Sequence, residues 1–92
     1  MLIIERTKQF KKDYKKVTKR SDGEKIKSEL MHILKLLIKK EPLPSKNRDY
    51  GLTGQLKGFR DCHLKPDVIL IYKVNKKLLQ LLRMAWHSEL GI

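Results

Sequence analysis

The sequence predicts an α+β domain of order β-α-α-β-β-β, an antiparallel sheet with a two-helix hairpin packed on one face. Three observations predict it. Apolar residues in the first half recur at helical spacing. Prolines and glycines break the chain between 42 and 58. The last third carries alternating and continuous apolar runs separated by short polar turns. With 92 residues the chain makes a single domain, 1–92, with a modest core.

Each element has its own signal. Residues 2–5 read as a short strand. Thr7 can cap a helix to about Arg20, in which Phe10, Tyr14 and Val17 form one apolar stripe at i, i+4 and i+7. Lysines cover the rest of that helix, a face that serves equally as a solvated surface or as a contact for phosphates or an acidic partner. Ser21-Asp22-Gly23-Glu24 reads as a capping box for a second helix running to about Lys40. Ile26, Leu30, Ile33, Leu34, Leu37 and Ile38 make its buried stripe, and Pro42 and Pro44 end it. Residues 42–58 are loop. Strands follow at Arg60–Leu64, Val68–Val74 and Leu78–His87, joined by turns at Lys65-Pro66-Asp67 and Asn75-Lys76-Lys77.

Charge is the strongest compositional feature. With 22 Lys and Arg against 10 Asp and Glu, the net charge is +12. A field of that size attracts polyanions: nucleic acid first, an acidic protein second. A membrane surface is disfavoured because no basic helix carries exposed aromatics, and no segment approaches the ~20 apolar residues of a span. The apolar run Leu2–Ile4 is too short for a signal peptide, so a cytoplasmic location is expected. The single cysteine, Cys62, excludes an internal disulfide and reads as a small strand hydrophobe. His32 falls opposite the apolar stripe of its helix and is expected to face solvent. Trp86 is expected in the core.

Titratable residues gather around the strand pair after Gly58. Asp61 and His63 are two apart on one strand and share a face. By the same parity Arg83 and His87 share a face of the last strand. If the C-terminal strands form adjacent hairpins, Asp61, His63, Asp67, Arg83 and His87 can converge at one edge of the sheet. Such a set suits RNA cleavage without a metal. A base takes the 2′-hydroxyl proton, an acid protonates the departing 5′-oxygen, and cations meet the charge on phosphate. Arginine supplies a planar fork for phosphate. Taken singly, each residue also has an ordinary structural use: Asp67 in a turn, Asp61 in an ion pair, Arg83 covering Leu81. Neither HxxxH nor CxxC spacing is present, so no metal and no cofactor are expected. A non-catalytic, basic nucleic-acid-binding module fits the charge alone equally well.

The run YGLTGQLKGFRDCHLKPDVILIYKV (Tyr50–Val74), the PLP after the second helix and the terminal HSEL together resemble the YafQ branch of the RelE superfamily of bacterial toxins. The most specific part is Gly54 to Tyr72. The resemblance implies a RelE-like fold and a type II toxin, an endoribonuclease that cuts messenger RNA in the ribosomal A site without a metal. It implies as partners the ribosome and mRNA, a cognate antitoxin with an acidic C-terminal segment, and operator DNA only through the antitoxin complex. The family's acid/base residues carry over to His63, Asp67 and His87, with Asp61 close by. Arg83 matches a phosphate-contacting position, and Arg60, Lys57 and Tyr50 are expected on the substrate side. Two departures stand out. Tyr50 replaces a histidine found in many relatives and, with a reference pKa of ~10, is a poor proton acceptor near neutral pH. Gly91 replaces a phenylalanine that could stack on a base.

Overall fold

The computed structural model describes residues 2–90. Strand β1 (Ile3–Arg6) leads into helix α1 (Lys8–Val17) and helix α2 (Gly23–Ile38). A long connection follows, containing the two-residue strand β2 (Tyr50–Gly51) between two 3₁₀ turns. Strands β3 (Arg60–Lys65), β4 (Val68–Val74) and β5 (Leu78–Trp86) come next, then a short helix α3 (His87–Leu90). The five-stranded sheet has the order β1-β5-β4-β3-β2.

The expected elements are present, with instructive differences. The sheet is mixed: β1 runs parallel to β5, while every other pair is antiparallel. Such a pairing needs a long crossover, and the rest of the chain supplies it. The loop 42–58 contributes β2, which pairs with β3 through Tyr50↔Asp61 and Gly51↔Arg60. Helix α1 stops at Val17, three residues before the expected Arg20. The expected capping box does not form. Asp22 is the N-cap of α2 and makes no side-chain cap bond, because its carboxylate accepts instead from Arg20 and from Lys65. Gly23 is required there, since a Cβ would run into the Thr18 carbonyl across the tight α1–α2 link.

The start of α1 is built as the spacing predicts. The Thr7 hydroxyl accepts from the Phe10 amide at 3.0 Å and donates to the Leu82 carbonyl at 2.7 Å. That second bond matters because β1 ends opposite Leu81, leaving the edge of β5 open beyond it. Helix α1 occupies the vacated edge. Its buried Asp13 accepts from the Met84 amide at 3.1 Å.

The core lies between the helices and one face of the sheet. Phe10, Val17, Ile26, Leu30, Ile33, Leu34 and Leu37 from the helices meet Cys62, Leu64, Val68, Leu70, Tyr72, Leu79, Leu81 and Met84 from the strands. Tyr14, Ile38 and Trp86 pack against this cluster partly buried, and His32 is exposed. Cys62 is fully buried, and burial pushes its thiol far above the ordinary range, so it behaves as the expected hydrophobe. No helix among the described residues is long and apolar enough to cross a membrane.

Candidate active site

Strand β3 builds the site by alternation. Cys62 and Leu64 enter the core, so Asp61 and His63 project to the opposite face. There the register sets Tyr50, Asp61, Ile71 and Arg83 in one row across β2 to β5, and His63, Ile69 and Ala85 in the next. Ile69, Ile71 and Ala85 are nearly fully buried and give the polar residues a rigid floor.

The expected parity of β5 fails at one point. Leu81 pairs with Tyr72 and Arg83 with Ile71, so Leu82 is an extra residue, a β-bulge. Leu79 and Leu81 therefore lie in the core while Ala85 does not. His87 is not on β5. The strand ends at Trp86, and His87 opens α3 with its amide donating to the Asp67 carbonyl at 2.9 Å. This bond ties the end of β5 to the β3–β4 turn and brings the His87 ring to a stacked position 6.0 Å from the ring of His63.

The two imidazoles, Asp61 and Asp67 thus gather at one end of the sheet. His63, Asp67 and His87 line an open groove of about 500 Å³ with Arg48, Pro66, Trp86 and Ser88. His63 Nδ1 is buried with no hydrogen-bond partner among the described residues. Burial pushes the Asp61 carboxyl above the ordinary carboxylate range. His63 and His87 pull it the other way, which records their closeness to it, and Asp49 adds to the rise. Asp67 is exposed and its carboxylate accepts from Arg20 Nη1 at 2.9 Å.

The expected phosphate contacts divide. Arg83 does not project freely into the groove: its Nε and Nη2 both donate to Asp13, each at 3.1 Å. Burial works against the Asp13 charge, but the bonds from Arg83, Gln9 and the Met84 amide outweigh it and hold the carboxyl below its ordinary range. Arg60 donates from Nε to Asp49 Oδ1 at 3.0 Å, beside the Tyr72 hydroxyl, which donates to the same oxygen at 2.6 Å. Tyr50 is exposed across from Asp61, on the site face. Lys57 is exposed in the turn before β3 and makes no ion pair among the described residues. Gly91 lies outside the described residues.

Sequence reasoning missed Arg20, Asp49, Asp13 and Arg48. The first three act through ion pairs between distant segments, which no local spacing encodes. Arg48 sits in an irregular loop where periodicity has nothing to report. Among the described residues no group of three or more His, Cys, Asp or Glu side chains is arranged to hold a metal ion.

Comparison with known proteins shows the family and the shared fold. The family model described as a bacterial toxin of type II toxin-antitoxin system, YafQ, matches residues 2–91. The mRNA interferase toxin YafQ of Escherichia coli K12 is 42% identical over 88 residues, covering 95% of this chain and 92% of that protein. Among solved structures, a copper-bound mutant toxin from Helicobacter pylori is 42% identical with a TM-score of 0.87, covering 98% of this chain and 99% of that one. The E. coli DinJ-YafQ complex contains a chain 40% identical with a TM-score of 0.85, covering 98% of each. With its sequence matched almost end to end and its fold shared, the chain belongs to the YafQ family of bacterial toxins of type II toxin-antitoxin systems.

Proposed function

We propose that residues 1–92 form one mRNA endoribonuclease domain that cuts ribosome-bound messages and so inhibits translation. The observation that carries this reading is the pair of imidazoles, His63 and His87, stacked 6.0 Å apart at the rim of an open groove. One imidazole removes the 2′-hydroxyl proton as that oxygen bonds to phosphorus. The other protonates the 5′-oxygen as its bond to phosphorus breaks, leaving a 2′,3′-cyclic phosphate and a 5′-hydroxyl. Base and acid are roles filled by the two imidazoles together. The two imidazoles supply both transfers, and the reaction requires no metal. Asp67 orients: its carbonyl holds the His87 amide while its carboxylate is held by Arg20. DNA lacks the 2′-hydroxyl and is inert to this chemistry.

The toxin acts in the cytoplasm, where its ribosome substrate lies, and is neutralised by a cognate antitoxin with an acidic C-terminal segment. A groove of about 780 Å³ between α1, α2 and the β1 edge of the sheet suits such a segment. Its floor includes Phe10, Leu30 and Leu34, and Lys11, Lys15 and Lys27 stand around it. Operator DNA is reached only through the antitoxin complex.

The test is to map 5′ ends of cellular mRNA after brief induction. Cuts inside translated codons are expected. Intact messages, with salt-sensitive RNA binding retained, would replace the nuclease with a non-catalytic binding module.

A further inference from the structure

A phosphodiester undergoing cleavage needs a cation beside it, and the arginines around this end of the molecule are not equivalent. Arg83 is bound through two nitrogens to Asp13. Arg60 is bound to the carboxylate and the carbonyl of Asp49. Arg20 is bound to Asp22 through Nε and Nη2 and to Asp67 through Nη1. In each case a carboxylate already answers the guanidinium. Arg48 differs. It is exposed and makes no ion pair or side-chain hydrogen bond among the described residues.

Its position is fixed by its backbone. Arg48 closes the 3₁₀ turn Ser45–Asn47 in the left-handed conformation, φ 45° and ψ 62°, with its amide donating to the Ser45 carbonyl at 3.2 Å. The residue before it, Asn47, is 2% exposed and donates from Nδ2 to the His63 carbonyl at 2.7 Å. The same nitrogen donates to Glu29 Oε1 at 3.2 Å. A buried amide thus staples the turn to β3 at His63 itself. As a result Arg48 lines two adjoining grooves. One holds His63, Asp67 and His87, and the other holds His63, Asn47 and Lys65. Side chains other than glycine rarely adopt a left-handed backbone, and such strain gathers at functional sites.

We propose that Arg48 is the principal phosphate-binding residue of this site, gripping the RNA backbone beside the scissile bond opposite the His63–His87 pair. The ligand is a phosphodiester of single-stranded RNA, and the inference rests on the nuclease reading above. Arg83, Arg60 and Arg20 serve mainly to brace the site through their carboxylates. Arg48 brings an unneutralised fork that can meet two phosphate oxygens.

The experiment uses the full toxin, a ribosome-bound message for cleavage, and an RNA oligonucleotide carrying a 2′-deoxy substitution at the cut for binding. Arg48→Ala is expected to weaken RNA binding about 10-fold to 100-fold, the size of a lost charge-assisted contact. It should also lower the slope of log K against log salt by about 0.7, the share of one phosphate. Arg48→Lys should recover part of the affinity. Arg48→Gly, which relieves the left-handed strain, should lose affinity like the alanine variant while melting no lower than the parent. Lys76→Ala, in the β4–β5 turn, removes the same charge away from the site and should bind as the parent does. Equal losses in Lys76→Ala and Arg48→Ala would overturn the proposal, reducing it to net charge. Unchanged binding and cleavage in Arg48→Ala would overturn it outright. A parent that binds RNA through Arg48 but cuts no message would uphold this contact and sink the nuclease reading instead.

Discussion

Strand β3 has two sides, and they follow opposite rules. Cys62 and Leu64 face the helices and are sealed into the core, while Asp61 and His63 face the other way and are only partly covered. One side is chosen by volume and the other by chemistry, yet the same backbone hydrogen bonds hold both. The site therefore inherits the rigidity of the core without sharing its composition. Damage to one side should register as stability, and damage to the other as activity.

The largest expected effects separate the two sides most cleanly. His87→Ala should lower message cleavage by ~10²-fold or more, the usual worth of a positioned acid or base, with little change in melting temperature. Leu70→Ala, on the core side of β4 and fully buried, should cost about 3 kcal/mol through lost burial and a residual cavity. Its melting temperature should fall by more than ~10 °C. Cleavage per folded molecule should stay close to that of the parent. A His87 variant that melts far below the parent would show the two sides to be one unit.

Asp13→Ala tests where the separation breaks down. Asp13 is buried, and it answers both Arg83 and the Met84 amide at the bulge in β5. Removing it leaves a buried amide unpaired and frees a guanidinium, at a cost of about 2 to 3 kcal/mol by thermal unfolding. The freed Arg83 can then turn toward substrate, so RNA binding per folded molecule should hold or rise. A loss of both would assign Asp13 a direct part in the site.

How far the site could be read from sequence follows from the same contrast. Alternation on β3 was legible because a buried face demands it, and it correctly grouped Asp61 with His63. The turn Lys65-Pro66-Asp67 was legible from its residue types. The bulge at Leu82 was not, because one inserted residue leaves the mostly apolar run Leu78-Leu79-Gln80-Leu81-Leu82 looking regular while reversing the facing of everything after it. The resemblance carries a phosphate position over to Arg83, but no local spacing shows that a buried carboxylate from α1 binds its guanidinium in the fold. The parallel pairing of β1 was equally hidden, since a four-residue strand carries no record of its partner. Arg48 lay in a stretch read only as loop, and its significance depends on Asn47 reaching across to His63.

A smaller effect is expected where the rows of the sheet meet β2. The Tyr72 hydroxyl extends from the core side of β4 to Asp49, just ahead of Tyr50. Burial and the Asp49 carboxylate both push this phenol far above its ordinary pKa, so it stays a donor at every working pH. Tyr72→Phe should cost about 1 kcal/mol by urea unfolding, because Arg60 still satisfies Asp49. Any change in cleavage would then report how firmly β2 must be held.

The last and smallest effect lies in the link that joins the two regions, where Arg20 bridges Asp22 to Asp67 and Lys65 also reaches Asp22. The bonds from Arg20 and then Lys65 lower the Asp22 carboxyl from 3.8 to about 2. A carboxyl lowered on folding stabilises the protein fully above its unfolded pKa, and the contribution disappears as pH falls through the folded value. The affected window is therefore pH 3.8 down to about 2. Asp22→Asn should flatten the loss of stability across that window and leave its shape above pH ~5 unchanged. Because these groups are solvent-accessible, salt should shrink the difference between parent and variant. An acid-unfolding curve that superimposes on the parent's would mean that Arg20 holds Asp67, and with it the His87 end of the site, without help from Asp22.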